Sequence, residues 1–123
     1  MSLCLLASGK VTVIAASAFT LVWTHSVERT AWEEDWRLTS RGLEIVEARV
    51  KGSGAGMDPP EGAVLSEGWW HYKPPLAPVK ELHLATSGAT APWRLCTTNG
   101  CLKISPDPEM EAATLGRCTD RAD

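Results

Sequence analysis

The chain has 123 residues, of which 44% are hydrophobic and 22% are charged, and its formal net charge is −3. A chain of this length fits one domain, and it buries enough surface for a core without support from a metal or a disulfide. Nucleic-acid binding depends on clusters of lysine and arginine that displace counterions; no such cluster is present, so we expect no nucleic-acid partner. Six tryptophans beside one tyrosine and one phenylalanine favour a β-rich domain, because flat aromatic side chains pack well on pleated surfaces.

The first apolar segment predicts two strands, Leu3–Leu6 and Val11–Ile14, joined by the turn Ala7–Lys10. The sequence Ala16–Ala18 imitates a signal-peptidase site, but a secretory signal begins with a basic region, and the first ten residues hold a single late charge, Lys10. The apolar run is also shorter than the ~20 residues that span a bilayer. We therefore expect no transmembrane segment and a cytoplasmic location for the chain as written. The alternative is a periplasmic location, if a signal is missing from its start.

The middle of the chain alternates apolar and polar residues with period two, which is typical of strands. Three strands are predicted here: Phe19–Trp23, Trp32–Leu38 and Leu43–Val50. In the third, the adjacent Ile45 and Val46 break the alternation and indicate a β-bulge. Four glycines and two prolines within residues 51–63 then predict a long surface loop.

The second half of the chain contains further short strands and turns. Residues 68–78 are limited by prolines to an edge strand or a loop, residues 79–88 predict a strand, and residues 93–104 predict a hairpin around an Asn-Gly turn. The segment Pro108–Leu115, which ends before Gly116, is compatible with one short helix.

Many short strands separated by Gly and Pro turns indicate an all-β fold, either an antiparallel β-sandwich or a small barrel. We expect residues 1–105 to form a single β domain. Residues 106–123 are expected to hold the short helix and a polar tail.

Four cysteines are present, too few for a disulfide scaffold. Cys96 and Cys101 flank the hairpin turn and are predicted to face each other across paired strands, where oxidation would join them in a disulfide. The alternative is half of a zinc site, but a second pair of ligands is missing because Cys4 and Cys118 stand alone.

The stretch Trp23–Trp36 combines three tryptophans, one histidine and several acidic residues. If its two strands pair so that Trp23 opposes Glu34 and His25 opposes Trp32, all four side chains share the apolar face. Glu34 then has His25 diagonally across from it, within reach of a hydrogen bond. An isolated carboxylate on an apolar face costs free energy unless it is paired, protonated or bound to a metal. Two interpretations follow: the pair braces the end of the core, or it forms a ligand or metal site capped by the two tryptophans.

Other residues carry weaker signals. Ser26 adjoins a histidine, but neighbours on a strand point to opposite faces, so a catalytic Ser–His pair is disfavoured. The glycines of residues 52–56 match neither a nucleophile elbow nor a phosphate loop, and they favour a tight loop over an anion nest. Met57 is interpreted as an apolar plug, and His71 and His83 as surface or loop histidines without partners at metal spacing.

Three segments, "WTHSVERTAWEEDW" (residues 23–36), "GLEIVEARVKGSGAGM" (residues 42–57) and "PWRLCTTNGC" (residues 92–101), resemble a bacterial family called domain of unknown function 1850. The resemblance covers most of residues 3–104. The family has no established activity, so the resemblance assigns no catalytic or metal-binding role. Candidates for a ligand-binding or structural site, from the matching motifs and the flanking tryptophans, are His25, Ser26, Glu34, Trp23, Trp32, Gly54, Gly56 and Met57.

Genes of this family often lie beside tripartite (TRAP) transporters of the TAXI type, and some members carry export signals. The resemblance therefore implies a transport context. We expect a non-enzymatic accessory of a TRAP-type solute transporter that binds a permease or solute-binding subunit, or a small ligand. The alternative is a metal- or ligand-dependent enzyme that uses His25 and Glu34, with its cofactor unknown.

Overall fold

A computed structural model describes residues 2–7, 9–25, 30–51, 62–84, 93–104 and 113–118; for Thr24, His25 and Thr30 it describes the backbone alone. Within these ranges the chain forms eleven β-strands. They are β1 (Leu3–Ala7), β2 (Lys10–Ile14), β3 (Ala18–His25), β4 (Thr30–Thr39), β5 (Gly42–Lys51), β6 (Val64–Ser66), β7 (Trp69–Tyr72), β8 (Glu81–Leu84), β9 (Trp93–Thr97), β10 (Gly100–Ile104) and β11 (Ala113–Arg117).

The strands make two antiparallel sheets that pack against each other. One has four strands in the order β2-β1-β11-β8, and the other has seven in the order β10-β9-β3-β4-β5-β7-β6. The all-β prediction is confirmed, and the architecture is a β-sandwich rather than a closed barrel. None of the described residues belongs to a helix long and apolar enough to cross a membrane.

Alternate residues of each strand point to the space between the sheets, because side chains along a strand alternate with period two. Apolar residues at these positions form one core that joins both sheets. Its members with the least solvent exposure are Leu3, Leu21, Leu43, Ala48, Leu95, Ala113 and Leu115.

The pairing of β3 with β4 differs from the predicted register by two residues. Trp23 lies opposite Trp32, Leu21 opposite Glu34, and His25 opposite Thr30. A slip of two residues keeps every side chain on its own face, so the periodic pattern identifies the face but not the register. At about 3.3 Å per residue, the backbones of Thr30 and Glu34 are about 13 Å apart along β4. The expected diagonal His25–Glu34 hydrogen bond depended on the incorrect register.

The predicted β-bulge in the third strand is confirmed. Asp35 pairs with Glu47, and the next residue, Trp36, pairs with Ile45, which leaves Val46 without an opposite residue on β4. Val46 is exposed, whereas Ile45 is buried. The bulge therefore keeps apolar residues of β5 facing the core on both sides of the irregularity.

Two predictions about the later strands are wrong. The segment Trp69–Tyr72 is neither an edge strand nor a loop, because it lies between β5 and β6, and β6 forms the edge. Residues 73–78 belong to no strand or helix, as the loop alternative predicted. The end of the segment Pro108–Leu115 is not helical. Residues Ala113–Arg117 form strand β11, which pairs with β1 on one side and with β8 on the other. Residues 105–112 and 119–123, which include the start of that segment and the polar tail, lie outside the described residues.

A close backbone contact explains why residue 116, where the predicted helix ends, is glycine. A Cβ atom at Gly116 would lie 3.2 Å from the carbonyl oxygen of Lys80. This is tighter than ordinary contact between a Cβ atom and its neighbours, so the residue permits close packing inside a sheet. Glycine at the end of an apolar pattern can mark the end of a helix or a close contact within a sheet, and here the second explanation is the correct one.

All four cysteines are paired in disulfides. Cys96 lies directly opposite Cys101, as the hairpin predicts, with the two Cα atoms 4.0 Å apart. The expectation that Cys4 and Cys118 stand alone is wrong, since they form a second disulfide with Cα atoms 5.1 Å apart. Their separation of 114 residues explains why no local pattern indicates the bond. The thiols needed for the zinc alternative are thus in disulfides.

Candidate functional site: an aromatic face beside a half-buried carboxyl

Three tryptophans meet on the inner face of the seven-stranded sheet. Trp23 on β3 stacks against Trp32 on β4, with ring centroids 6.0 Å apart and an interplanar angle of 9°. On its other side Trp23 contacts Trp93 of β9, at a centroid distance of 4.6 Å. We call this group, Trp23, Trp32 and Trp93, the tryptophan face.

The tryptophan face continues the core but is more exposed than the core. Along β3, Phe19 and Leu21 share the face of Trp23, because they differ from it by even numbers of residues. Phe19 and Leu21 are 3% and 1% exposed, whereas all three tryptophans are only partly buried. Part of the aromatic surface thus remains accessible at one end of the sandwich.

Glu34 lies beside the tryptophan face, between apolar neighbours on both adjacent strands. It is opposite Leu21 on β3 and Ala48 on β5, and each of these is 1% exposed. The indole Nε1 of Trp36 donates a hydrogen bond to Glu34 Oε1 at 3.0 Å. The hydrogen-bond donor to Glu34 that the structure describes is therefore Trp36, which lies on the same strand.

Burial raises the pKa of the Glu34 carboxyl, and the hydrogen bond from Trp36 opposes this only in part. Tyr72 lies two strands away on the same face, opposite Ala48. Burial, and in addition the charge of Glu34, raises the pKa of the Tyr72 hydroxyl. Glu34 thus keeps its proton to a higher pH than an exposed glutamate, and it can act as a hydrogen-bond donor or acceptor next to the rings.

We expect Glu34→Gln to raise the free energy of unfolding at pH 7. The folded-state pKa of Glu34 lies above its ordinary value of 4.5, so burial disfavours the charged form in the folded protein. This penalty is present above the folded-state pKa and disappears as the pH falls to 4.5, where the unfolded chain also takes up its proton. The gain from the variant should therefore shrink between pH 7 and pH 4 in chemical-unfolding curves.

The matched control is Glu67→Gln, at an exposed position in the turn between β6 and β7. Its unfolding curve should follow that of the wild type at both pH values. A Glu34→Gln variant that is less stable than the wild type at pH 7, but not at pH 4, would mean that the fold stabilises the carboxylate.

The outer face of the same sheet carries a different cluster, centred on Arg49 of β5. Its guanidinium donates hydrogen bonds to Glu33 at 2.7 Å, to Asp35 at 2.8 Å and to Glu47 at 3.1 Å. His71 Nδ1 lies 2.9 Å from a carboxylate oxygen of Glu47, so this partly exposed histidine lies on strand β7 beside an acidic side chain. These groups satisfy one another, and we interpret the cluster as a structural brace.

Metal binding has no support among the parts of the chain that the structure describes. No group of three or more His, Cys, Asp or Glu side chains there is placed to hold a metal ion. His83, the third histidine, is exposed; its ring nitrogens lie 3.4 Å from the hydroxyl of Thr114 and 3.7 Å from the carboxylate of Glu81.

The structure brings together three of the candidates from the sequence: Trp23, Trp32 and Glu34. The backbone of His25 lies at the end of β3, whereas Ser26, Gly54, Gly56 and Met57 lie outside the described residues. Trp93 was missed. It shares the inner face of β9 with Leu95, but the pairing of β9 with β3 joins residues about 70 positions apart, and no local pattern indicates it.

Together the fold and the site define a two-sheet antiparallel β domain with a partly exposed aromatic face. The chain belongs to the family described as Domain of unknown function (DUF1850), whose model matches residues 19–104. The match begins within β3 and ends at the last residue of β10, so it covers most of residues 3–104, as the resemblance predicted. No curated protein and no solved structure shows a significant match to the chain.

Proposed function

We propose that the protein is a non-enzymatic accessory of a TRAP-type solute transporter and binds an apolar segment of a transporter subunit on its tryptophan face. The observation that carries the proposal is the contact of Trp23 with both Trp32 and Trp93 at partly exposed positions. Tryptophan is enriched among the residues that dominate binding energy at protein interfaces, because it buries a large area at a low cost in conformational entropy.

The ring geometry favours a ligand that lies across the rings. A flat group inserted between two parallel rings needs about 3.5 Å of contact distance on each side, or roughly 7 Å in all. Trp23 and Trp32 are closer than this, at 6.0 Å. An extended peptide with apolar side chains fits such a surface, and a peptide N–H within reach of Glu34 would have a carboxyl oxygen as acceptor.

Binding is favoured over the enzymatic alternative by the register of the hairpin. A His25–Glu34 acid–base pair needs the two side chains within hydrogen-bond distance of a shared proton. The backbone of His25 is opposite Thr30, four residues along β4 from Glu34. The described residues therefore support Glu34 as a partner of the tryptophan face more strongly than as half of a catalytic pair.

We further propose that the domain works in an oxidising compartment, which for a bacterial cell is the periplasm. Disulfides persist in such compartments and are rare where glutathione and thioredoxin keep thiols reduced. Two disulfides that use every cysteine of the chain support the periplasmic alternative over the cytoplasmic expectation. Free-thiol titration of protein taken directly from cells distinguishes the two: we expect no reactive thiol before reduction.

The test of the binding proposal is affinity capture of the tagged protein from the native membrane fraction in mild detergent. Wild-type protein should recover transporter subunits, and Trp32→Ala should recover at least tenfold less, because the flat surface for the partner is lost. Trp69→Ala is the matched control, since Trp69 is partly buried but lies on the opposite face of the sheet, next to Lys51. Thermal melts of each variant establish that it is folded.

Two results would contradict the proposal. One is recovery of no transporter subunit by the wild-type protein. The other is equal recovery by folded Trp32→Ala and wild-type protein, which would place the contact elsewhere on the domain.

A further inference from the structure

A cleft of about 460 Å³ lies where the two sheets meet, at the opposite end of β4 from the tryptophan face. Three segments line it: the turn between β4 and β5, the start of β8 and the end of β11. Trp32 and Ser40 are eight residues apart, so about 26 Å of strand separates the two surfaces. The lining residues are Ser40, Arg41, Gly42, Lys80, Glu81, Gly116 and Arg117.

Backbone contacts fix the floor of the cleft. Leu43 and Val79 exchange two hydrogen bonds, with N–O distances of 2.7 and 3.0 Å. Gly42 has a φ of 120°, and a Cβ atom there would lie 2.5 Å from the carbonyl oxygen of Val79. Only glycine permits this approach, so the turn between β4 and β5 is held against the residue before Lys80.

Three of the seven residues that line the cleft are arginine or lysine. Three cations, Arg41, Lys80 and Arg117, stand with one carboxylate, that of Glu81, although the chain as a whole has a net charge of −3. Arg117 Nη1 donates a hydrogen bond to the backbone oxygen of Thr39 at 3.3 Å, which links β11 to the turn. Within the described ranges, none of the three cations forms an ion pair with another side chain.

We propose that this cleft binds a small organic dianion through its carboxylate or phosphate oxygens. Guanidinium groups match the geometry of carboxylate and phosphate oxygens, and an ammonium group adds a point charge. A volume of about 460 Å³ is within the range of about 300–1,000 Å³ that is usual for small-molecule sites. The proposal does not depend on the transporter role, because it uses a different surface and different residues.

The experiment is a two-dimensional NMR titration of the full chain at low ionic strength with inorganic phosphate, malonate and acetate in separate arms. The dianions should shift the amide signals of residues 40–42, 80–81 and 116–117 in a saturable manner. Saturation with phosphate alone identifies a phosphate ligand, and saturation with malonate alone identifies a dicarboxylate. Acetate should bind at least tenfold more weakly than whichever dianion binds better.

Two exposed cations of the cleft provide the variants. Arg41→Gln and Lys80→Gln should each weaken dianion binding about tenfold, and the double variant should lose saturable shifts. Arg94→Gln is the control, because Arg94 is exposed on the outer face of the seven-stranded sheet, away from the cleft. No saturable shift with either dianion, acetate binding as tight as theirs, or unchanged affinity in the double variant would each overturn the proposal.

Discussion

Replacement of Cys4 by serine should lower the free energy of unfolding by about 5 kcal/mol, whereas Cys96→Ser should lower it by only about 2 kcal/mol. In the chain-entropy description, a disulfide stabilises a fold by restricting the unfolded chain, and the effect grows with the length of the closed loop. The Cys4–Cys118 bond closes a loop with a sequence separation of 114, and the Cys96–Cys101 bond closes one with a separation of 5. Urea unfolding under oxidising conditions measures both losses.

Reductant supplies the control for this comparison. With both disulfides reduced, the serine variants and the wild type should unfold at nearly the same urea concentration. The double variant Cys4→Ser with Cys118→Ser removes any effect of a single unpaired thiol and should match Cys4→Ser. A larger loss for Cys96→Ser than for Cys4→Ser under oxidising conditions would show that the hairpin bond stabilises the native state by means other than loop closure.

The position of the Cys4–Cys118 bond explains why its loss should matter to the whole sandwich. It connects the first strand to the end of the last one, and β1 and β11 are neighbours at the centre of the four-stranded sheet. The backbone N–H of Cys118 also donates to the carbonyl oxygen of Ser2 at 2.8 Å. The two ends of the chain therefore complete the layer that covers the seven-stranded sheet, which lies almost entirely within the region matched by the family.

The faces of the central strands could be predicted from the sequence because period-two alternation is a local property. Phe19, Leu21 and Trp36 face the core, and the adjacent Ile45 and Val46 mark a true bulge. The register of β3 and β4 could not be predicted, since a shift of two residues leaves the facing unchanged. The identity of β11 could not be predicted either, because it pairs with β1 at the other end of the chain and with β8, neither of which is adjacent to it in sequence.

The distinction between local pattern and long-range pairing also applies to the candidate site. Alternation along β3 and β4 was sufficient to place Trp23, Trp32 and Glu34 on one face. The partners of these residues required the register and the long-range pairing: Trp36 donates to Glu34, and Trp93 completes the tryptophan face. The basic cleft has no local signal at all, because three distant segments contribute its cations.

Substitution of Arg49 by methionine is expected to lower the free energy of unfolding at pH 7 by about 2–3 kcal/mol. The side chain of Arg49 is 18% exposed, and its removal leaves Glu33, Asp35 and Glu47 without their shared guanidinium. Removal of one partner from a buried ion pair typically costs about 3–5 kcal/mol, and from an exposed pair about 0–1 kcal/mol. The three carboxylates are 27–37% exposed, so partial screening by water places the loss between these limits.

The loss should become smaller in acid. Burial alone would raise the pKa of Asp35, but hydrogen bonds from Arg49 and Thr20 outweigh it and lower that pKa below its ordinary value of 3.8. The stabilisation that Asp35 gains from Arg49 is therefore fully present above the unfolded-state value and disappears as the pH falls through the folded-state pKa. Urea unfolding at pH 7 and at pH 3 should show the difference between wild type and Arg49→Met decrease.

Arg94→Met is the matched control for the outer-face cluster, since it removes an exposed arginine from the same face and should change stability by less than about 0.5 kcal/mol. Asp35 accepts hydrogen bonds from both Thr20 and Arg49, at 2.7 and 2.8 Å, so its removal should be more harmful than Arg94→Met. If Arg49→Met and Arg94→Met are equally stable at pH 7, water screens the charges of the Arg49 cluster as it screens those of an exposed ion pair. The cluster would then contribute to stability only through its apolar contacts.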